Sequence, residues 1–145
     1  MSPNPHDATA TLRDIESPDD VILLVDTFYR AALIDPVIGH IFVDVAKIDL
    51  ESHMPRLYRF WCAILLGMPT YRENAFAPHM RLHQLHPLEP QHFERWLALF
   101  HGTIDSLFEG PTAELAKKRS RDIATAMAGK LAHLDRAQPL AAVAD

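Results

Sequence analysis

From Ser17 to about Leu134 the apolar residues recur at three- to four-residue spacing, and nowhere do they alternate in the two-residue rhythm of a strand. A chain patterned this way is confined to helix packed on helix. Ser17 caps the first helix, Pro18 takes its first position, and Asp19 and Asp20 suit its positive end. Val21, Leu24, Val25, Phe28 and Ala32 then form one apolar stripe that stops near Asp35-Pro36, with Tyr29 at its edge. A connecting turn covers Pro36–Phe42. A second helix runs from about Ser52 to Leu66, with Pro55 expected in its first turn and Gly67 as its stop. His53, Leu57, Phe60, Trp61 and Ile64 share a face of it. Met68–Ala77 reads as a loop and Pro78–Leu85 as a short helix broken by Pro87. A long helix follows from Pro90 to Phe108, with Phe93, Trp96, Leu97, Phe100, Ile104 and Leu107 as its buried stripe. Gly110-Pro111 ends it. The last helix spans Thr112 to about Leu134, with Leu115, Ile123, Met127 and Leu131 facing inward.

Residues 1–16 read as a loose arm, 17–134 as one folded domain and 135–145 as a flexible Ala-rich tail. A chain of 145 residues is long enough to bury a core. Its net charge of −5 argues against nucleic acid or an anionic membrane as partner. No stretch approaches the roughly 20 apolar residues of a membrane span, and no secretory signal is visible. The single cysteine, Cys62, has no partner for an internal disulfide, which fits a cytoplasmic setting.

The chemistry is concentrated in the histidines. His79, His83 and His86 stand at i, i+4 and i+7, on one side of a helix if the segment is helical. A neutral imidazole is a good ligand for iron or zinc, and one axial histidine is what a pentacoordinate haem needs. The plain alternative is three solvent-facing histidines of a polar segment. His83 ranks first because Leu82 and Leu85 bracket it and Trp96 follows thirteen residues later. Tyr29 and His53 lie on or beside apolar helix faces, where a buried polar tip needs a partner. Each could simply reach water. Together with Trp96, however, they offer three donors from three helices, a set suited to stabilising a partly negative ligand.

Other chemistries fare worse. Glu89-Pro90-Gln91-His92 is a lone Glu-x-x-His, whereas a carboxylate-bridged di-iron bundle needs two such motifs. A zinc enzyme built on His79, His83 and His86 lacks a placed general base. There is no Gly-rich phosphate loop and no Cys-x-x-Cys, and Cys62 reads as a small core residue.

Taken in order, Thr27-Phe28-Tyr29, Ile38-Gly39-His40-Ile41-Phe42, His53 eight residues before Trp61 in Phe60-Trp61-Cys62-Ala63-Ile64-Leu65-Leu66-Gly67, and His83 followed by Phe93-Glu94-Arg95-Trp96-Leu97-Ala98-Leu99-Phe100 resemble group III truncated haemoglobins over about residues 17–132. The Gly-Gly motifs of the other two groups are absent, while the Met68–Pro78 loop is longer than the resemblance leads one to expect. The resemblance implies an all-α, globin-like two-over-two helical sandwich holding haem b without covalent attachment. His83 would be its proximal iron ligand, with His79 or His86 as alternatives. Tyr29, His53 and Trp96 would form the distal polar set, and Phe42 and Leu57 would pack on the porphyrin. Arg81 would pair with a propionate.

Such a protein would bind O2, NO and CO. Three donors over the iron would slow O2 release, which suits NO oxidation, a peroxidase-like reaction or ligand sensing, with a reductase as partner, better than oxygen transport. Two other classes remain: a cofactor-free helical regulatory module, and a non-haem metalloprotein using the three clustered histidines.

Overall fold

The computed structural model describes residues 12–137, all of whose regular elements are helical. They are α1 (Pro18–Ala32), α2 (Leu50–Leu66), α3 (Phe76–Leu85), α4 (Pro90–Leu107) and α5 (Pro111–Ala137), with a short π turn over Ile41–Val45. Most of the expected arm and tail lies outside the described residues. Where the two overlap, residues 12–16 are not a loose arm. Ile15 is fully buried, and Arg13 pairs with the buried Asp20.

Local chemistry sets the helix ends. In α1 the Ser17 side chain accepts from the Asp20 N–H while Asp20 accepts from the Ser17 N–H at 3.1 Å, a reciprocal cap. α2 starts at Leu50, two residues before the expected Ser52, because Asp49 accepts from the Glu51 N–H at 3.3 Å. Pro55 therefore falls in the second turn rather than the first. Its missing N–H leaves only a carbonyl near the helix start without its usual donor. At the other end Gly67 adopts φ +67°, the left-handed turn that closes a helix at low cost for glycine. The cap of α5 comes from far away in sequence. Asp14 accepts from the N–H groups of Thr112 (2.9 Å) and Ala113 (2.8 Å). A Cβ on Gly110 would fall 2.5 Å from Asp14, so this approach requires the glycine. Burial alone would raise the Asp14 pKa, but the N–H donors of Thr112, Ala113 and Ile15 outweigh it and hold the carboxyl below its ordinary value.

α1 packs on both α2 and α4, and α4 on α5, giving two helix pairs in two layers. Val21, Leu24, Val25 and Phe28 of α1 meet Trp61 of α2 and Phe100 and Ile104 of α4. The Phe100 ring stacks against both Trp61 and Trp96, at centroid distances of 4.8 and 5.2 Å. Burying each of these large side chains contributes roughly 1.5–3 kcal/mol. Asp35, buried just after α1, accepts from Arg95 of α4 at 2.8 Å and from the N–H groups of Val37 and Ile38. That network ties the start of the α1–α2 connector to α4. α3 differs from every other helix: it leans on α5 and buries none of its own residues.

Candidate functional site

The apolar faces of α1, α2, α4 and α5 do not close on one another at the end nearest α3. They leave a cavity of about 240 Å³. Its lining is mostly aromatic and aliphatic, including Phe28, Phe42, Leu57, Trp61, Leu82 and Phe93. The polar groups set into it are few: Tyr29, His53, Arg56, Tyr71, His79, His92 and Trp96. An apolar cavity with a handful of convergent polar groups is the ordinary form of a cofactor site.

On one side, Tyr29 from α1 and His53 from α2 meet, with the phenolic oxygen 3.0 Å from Nε2. Burial raises the Tyr29 pKa far above its ordinary value, so the hydroxyl keeps its proton. Burial also lowers the pKa of His53, and the charge of Arg56 lowers it further, so the neutral imidazole is favoured at pH 7. When His53 donates from Nε2, the Tyr29 proton is free to point into the cavity. When Tyr29 donates instead, the pair offers nothing to a ligand. Phe42, from the π turn, meets the Tyr29 ring edge-on at 5.5 Å, and Trp96 lines the same space with its indole N–H bonded to no other described residue.

α3 carries His79. Its Nδ1 lies 2.7 Å from the Ala75 carbonyl, one turn earlier. A carbonyl only accepts, so the ring proton sits on Nδ1 and the Nε2 lone pair is left free. Nε2 makes no hydrogen bond to another described residue, and the side chain lines the cavity. Burial lowers the pKa of this histidine, only partly offset by the Ala75 bond, and so favours the neutral imidazole. Fixed tautomer, neutral ring and free lone pair are the properties of a metal-ligating histidine.

His83, one turn on, is placed differently. It does not line the cavity. Its Nδ1 accepts from the Leu88 N–H at 2.9 Å, which puts the proton on Nε2, and that proton goes to Asp135 of α5 at 2.8 Å. Both nitrogens are occupied, and the residue acts as a strut between α3, the following loop and α5. His86 lies outside the cavity beyond the end of α3, with Nδ1 3.1 Å from the Pro87 carbonyl. Among the described residues no group of three or more His, Cys, Asp and Glu side chains is placed to hold a metal, so His79, His83 and His86 do not form one. Arg81 is exposed and outside the cavity.

Of the residues singled out from sequence, the structure therefore brings Tyr29, Phe42, His53, Leu57 and Trp96 together, along with His79. It leaves His83, His86 and Arg81 outside. Arg56 was missed. It stands three residues after His53, and that spacing was the available signal.

An all-α two-layer sandwich with histidine-bearing walls around an apolar cavity defines a globin-like protein. The bacterial-like globin family model matches residues 14–132, and the chain belongs to that family. It is 24% identical over 110 residues to the group 3 truncated hemoglobin ctb of Campylobacter jejuni, covering 74% of this chain and 84% of that one. A crystal structure of group III truncated hemoglobin from Campylobacter jejuni superposes with a TM-score of 0.72 at 22% identity, over 83% of this chain and 95% of that one. These matches bear out the group III resemblance, and membership in a globin family implies haem binding. Among the described residues no helix is long and apolar enough to cross a membrane.

Proposed function

We propose that the cavity holds haem b, with His79 as the axial ligand in place of the His83 expected from sequence. The observation that carries this reading is the His79 imidazole, whose Nε2 is free on the cavity wall while both nitrogens of His83 are engaged elsewhere. The donor set fits the group: an apolar slot, one neutral imidazole on the α3 wall, and polar side chains from α1, α2 and α4. When bound, haem supplies an iron that takes diatomic gases such as O2, NO and CO.

The protein's own residues do the rest. The Ala75 carbonyl orients His79 and makes its ring more basic toward the metal. Tyr29 and Trp96 present donors to whatever ligand enters, and His53 acts through Tyr29 by donating to its phenolic oxygen. Phe42, Leu57, Phe93 and Leu82 give the cavity apolar walls that would exclude water and pack on a flat ring. Arg56, the one arginine lining the cavity among the described residues, would take the propionate role expected of Arg81. Two donors for one small ligand, the Tyr29 hydroxyl and the Trp96 indole N–H, favour retention, which suits chemistry on these gases or their sensing over oxygen transport. A redox role of that kind calls for a reductase partner. A cytoplasmic setting is supported by the single, buried Cys62.

The test is the absorption spectrum of haem-reconstituted wild type, His79→Ala and His83→Ala. A Soret band in wild type that is kept in His83→Ala and lost or shifted in His79→Ala is the expected result. The reverse pattern returns the ligand to His83, and no Soret band in wild type removes the haem reading altogether.

A further inference from the structure

Outside the cavity, two histidines from distant parts of the chain face each other. His40 precedes the π turn in the α1–α2 connector, and His86 closes α3, 46 positions later. Their Nε2 atoms lie 3.4 Å apart. That is long for a hydrogen bond, whose usual range is about 2.7–3.2 Å. It matches another arrangement better. With zinc–nitrogen bonds of about 2.0–2.1 Å, two ligands at a tetrahedral angle stand about 3.3–3.4 Å apart, whereas at a right angle they would stand about 2.8–3.0 Å apart.

The proton positions also suit a ligand pair. His86 Nδ1 faces the Pro87 carbonyl, which can only accept, so its proton sits there and the Nε2 lone pair is free. That carbonyl is also the orienting partner that metal-bound histidines commonly have. Nδ1 of His40 has no partner among the described residues and is free to take that ring's proton. His92 lies close, its ring 5.6 Å from that of His86, but it is no third ligand. Its Nδ1 accepts the Glu89 N–H at the start of α4, which leaves the ring proton on Nε2.

We propose that His40 and His86 form a two-histidine site for a tetrahedral divalent cation, best suited to Zn2+, with two positions left to water or an outside ligand. The site is distinct from the cavity and does not depend on haem. A cation there fastens the end of α3, the helix that buries nothing of its own, to the connector that leads into the opposite wall.

The test is a calorimetric titration of Zn2+ into the haem-loaded and haem-free full chain, for wild type, His40→Ala, His86→Ala and His133→Ala, each checked for unchanged far-UV circular dichroism. His40 is exposed, so its removal disturbs no packing. One Zn2+ per chain in wild type and in His133→Ala, with affinity lost or at least about tenfold weaker in both His40→Ala and His86→Ala, is the expected result. In the haem-free chain Co2+ serves as a probe of geometry, with the intense visible bands of a tetrahedral ion expected in wild type and absent in both variants. Isotherms unchanged by either variant, no zinc binding in wild type, or the weak spectrum of octahedral Co2+ would overturn the proposal.

Discussion

Where α1 crosses α4, Leu24 and Ile104 are wholly buried and Phe100 is 1% exposed; on α3, ten residues long, not one side chain is buried and Leu85 is 75% exposed. Both regions contain apolar residues at helical spacing, so composition does not separate them. What separates them is what the apolar face meets. At the crossing it meets other side chains, and packing closes. On α3 it faces the cavity, and Leu82 and His79 are half-buried there. Stability and function are thereby divided between the two ends of one sandwich.

The largest expected effect tests the closed side. Ile104→Ala removes a wholly buried side chain of the α1–α4 crossing that lines no part of the cavity, and should cost about 2–5 kcal/mol in urea unfolding of the haem-free chain. Leu82→Ala, on the open side, should cost under about 1 kcal/mol in the same assay while speeding haem loss. Equal costs would break the comparison.

Acid titration sharpens it further. The Arg13 guanidinium bonded to Asp20, with the N–H groups of Glu16 and Ser17, pulls the Asp20 pKa down to about 2. A depressed carboxylate contributes stability above its unfolded value of about 3.9. That contribution should fall away as pH drops from about 4 to about 2. Its size is on the order of 1–2 kcal/mol, since Arg13 is itself 61% exposed and the pair is partly screened. Asp20→Asn should flatten this acid limb, and an unchanged limb would remove Asp20 from the closed region's support.

The smallest effect belongs to the open side. Tyr29→Phe should leave unfolding nearly unchanged and raise the O2 dissociation rate about tenfold, the loss of one hydrogen bond of about 1–1.5 kcal/mol. An unchanged rate, measured by stopped-flow, would mean that the Tyr29 proton stays with His53.

The helices were legible because their signals are local. Ser17-Pro18-Asp19-Asp20 carries a whole helix start in four residues, and Gly67 and Gly110-Pro111 mark two ends equally directly. The cap of α5 was not legible, since Asp14 stands 98 positions from Thr112. That Tyr29, His53 and Trp96 line one cavity could be read because each is an isolated polar group on an apolar stripe. The proposed iron ligand is another matter. His79 and His83 are one turn apart on the same side of α3, and distance along the chain to Trp96 does not say which ring faces inward. That is decided by contacts the sequence does not display, with Asp135 and Leu88 drawing His83 away and Ala75 aligning His79. Arg56 and Arg81 differ in the same way: both flank candidate histidines, and only the three-dimensional register puts one at the cavity.

The most direct test of the division of labour is to empty the α3 wall of its imidazole and supply the ligand from solution. His79→Gly should keep its helical circular dichroism and lose or shift the Soret band when loaded with haem, and added imidazole should restore the wild-type spectrum. A His79→Gly protein whose spectrum is already that of wild type, or one that imidazole leaves unchanged, would contradict the account and place the axial ligand elsewhere.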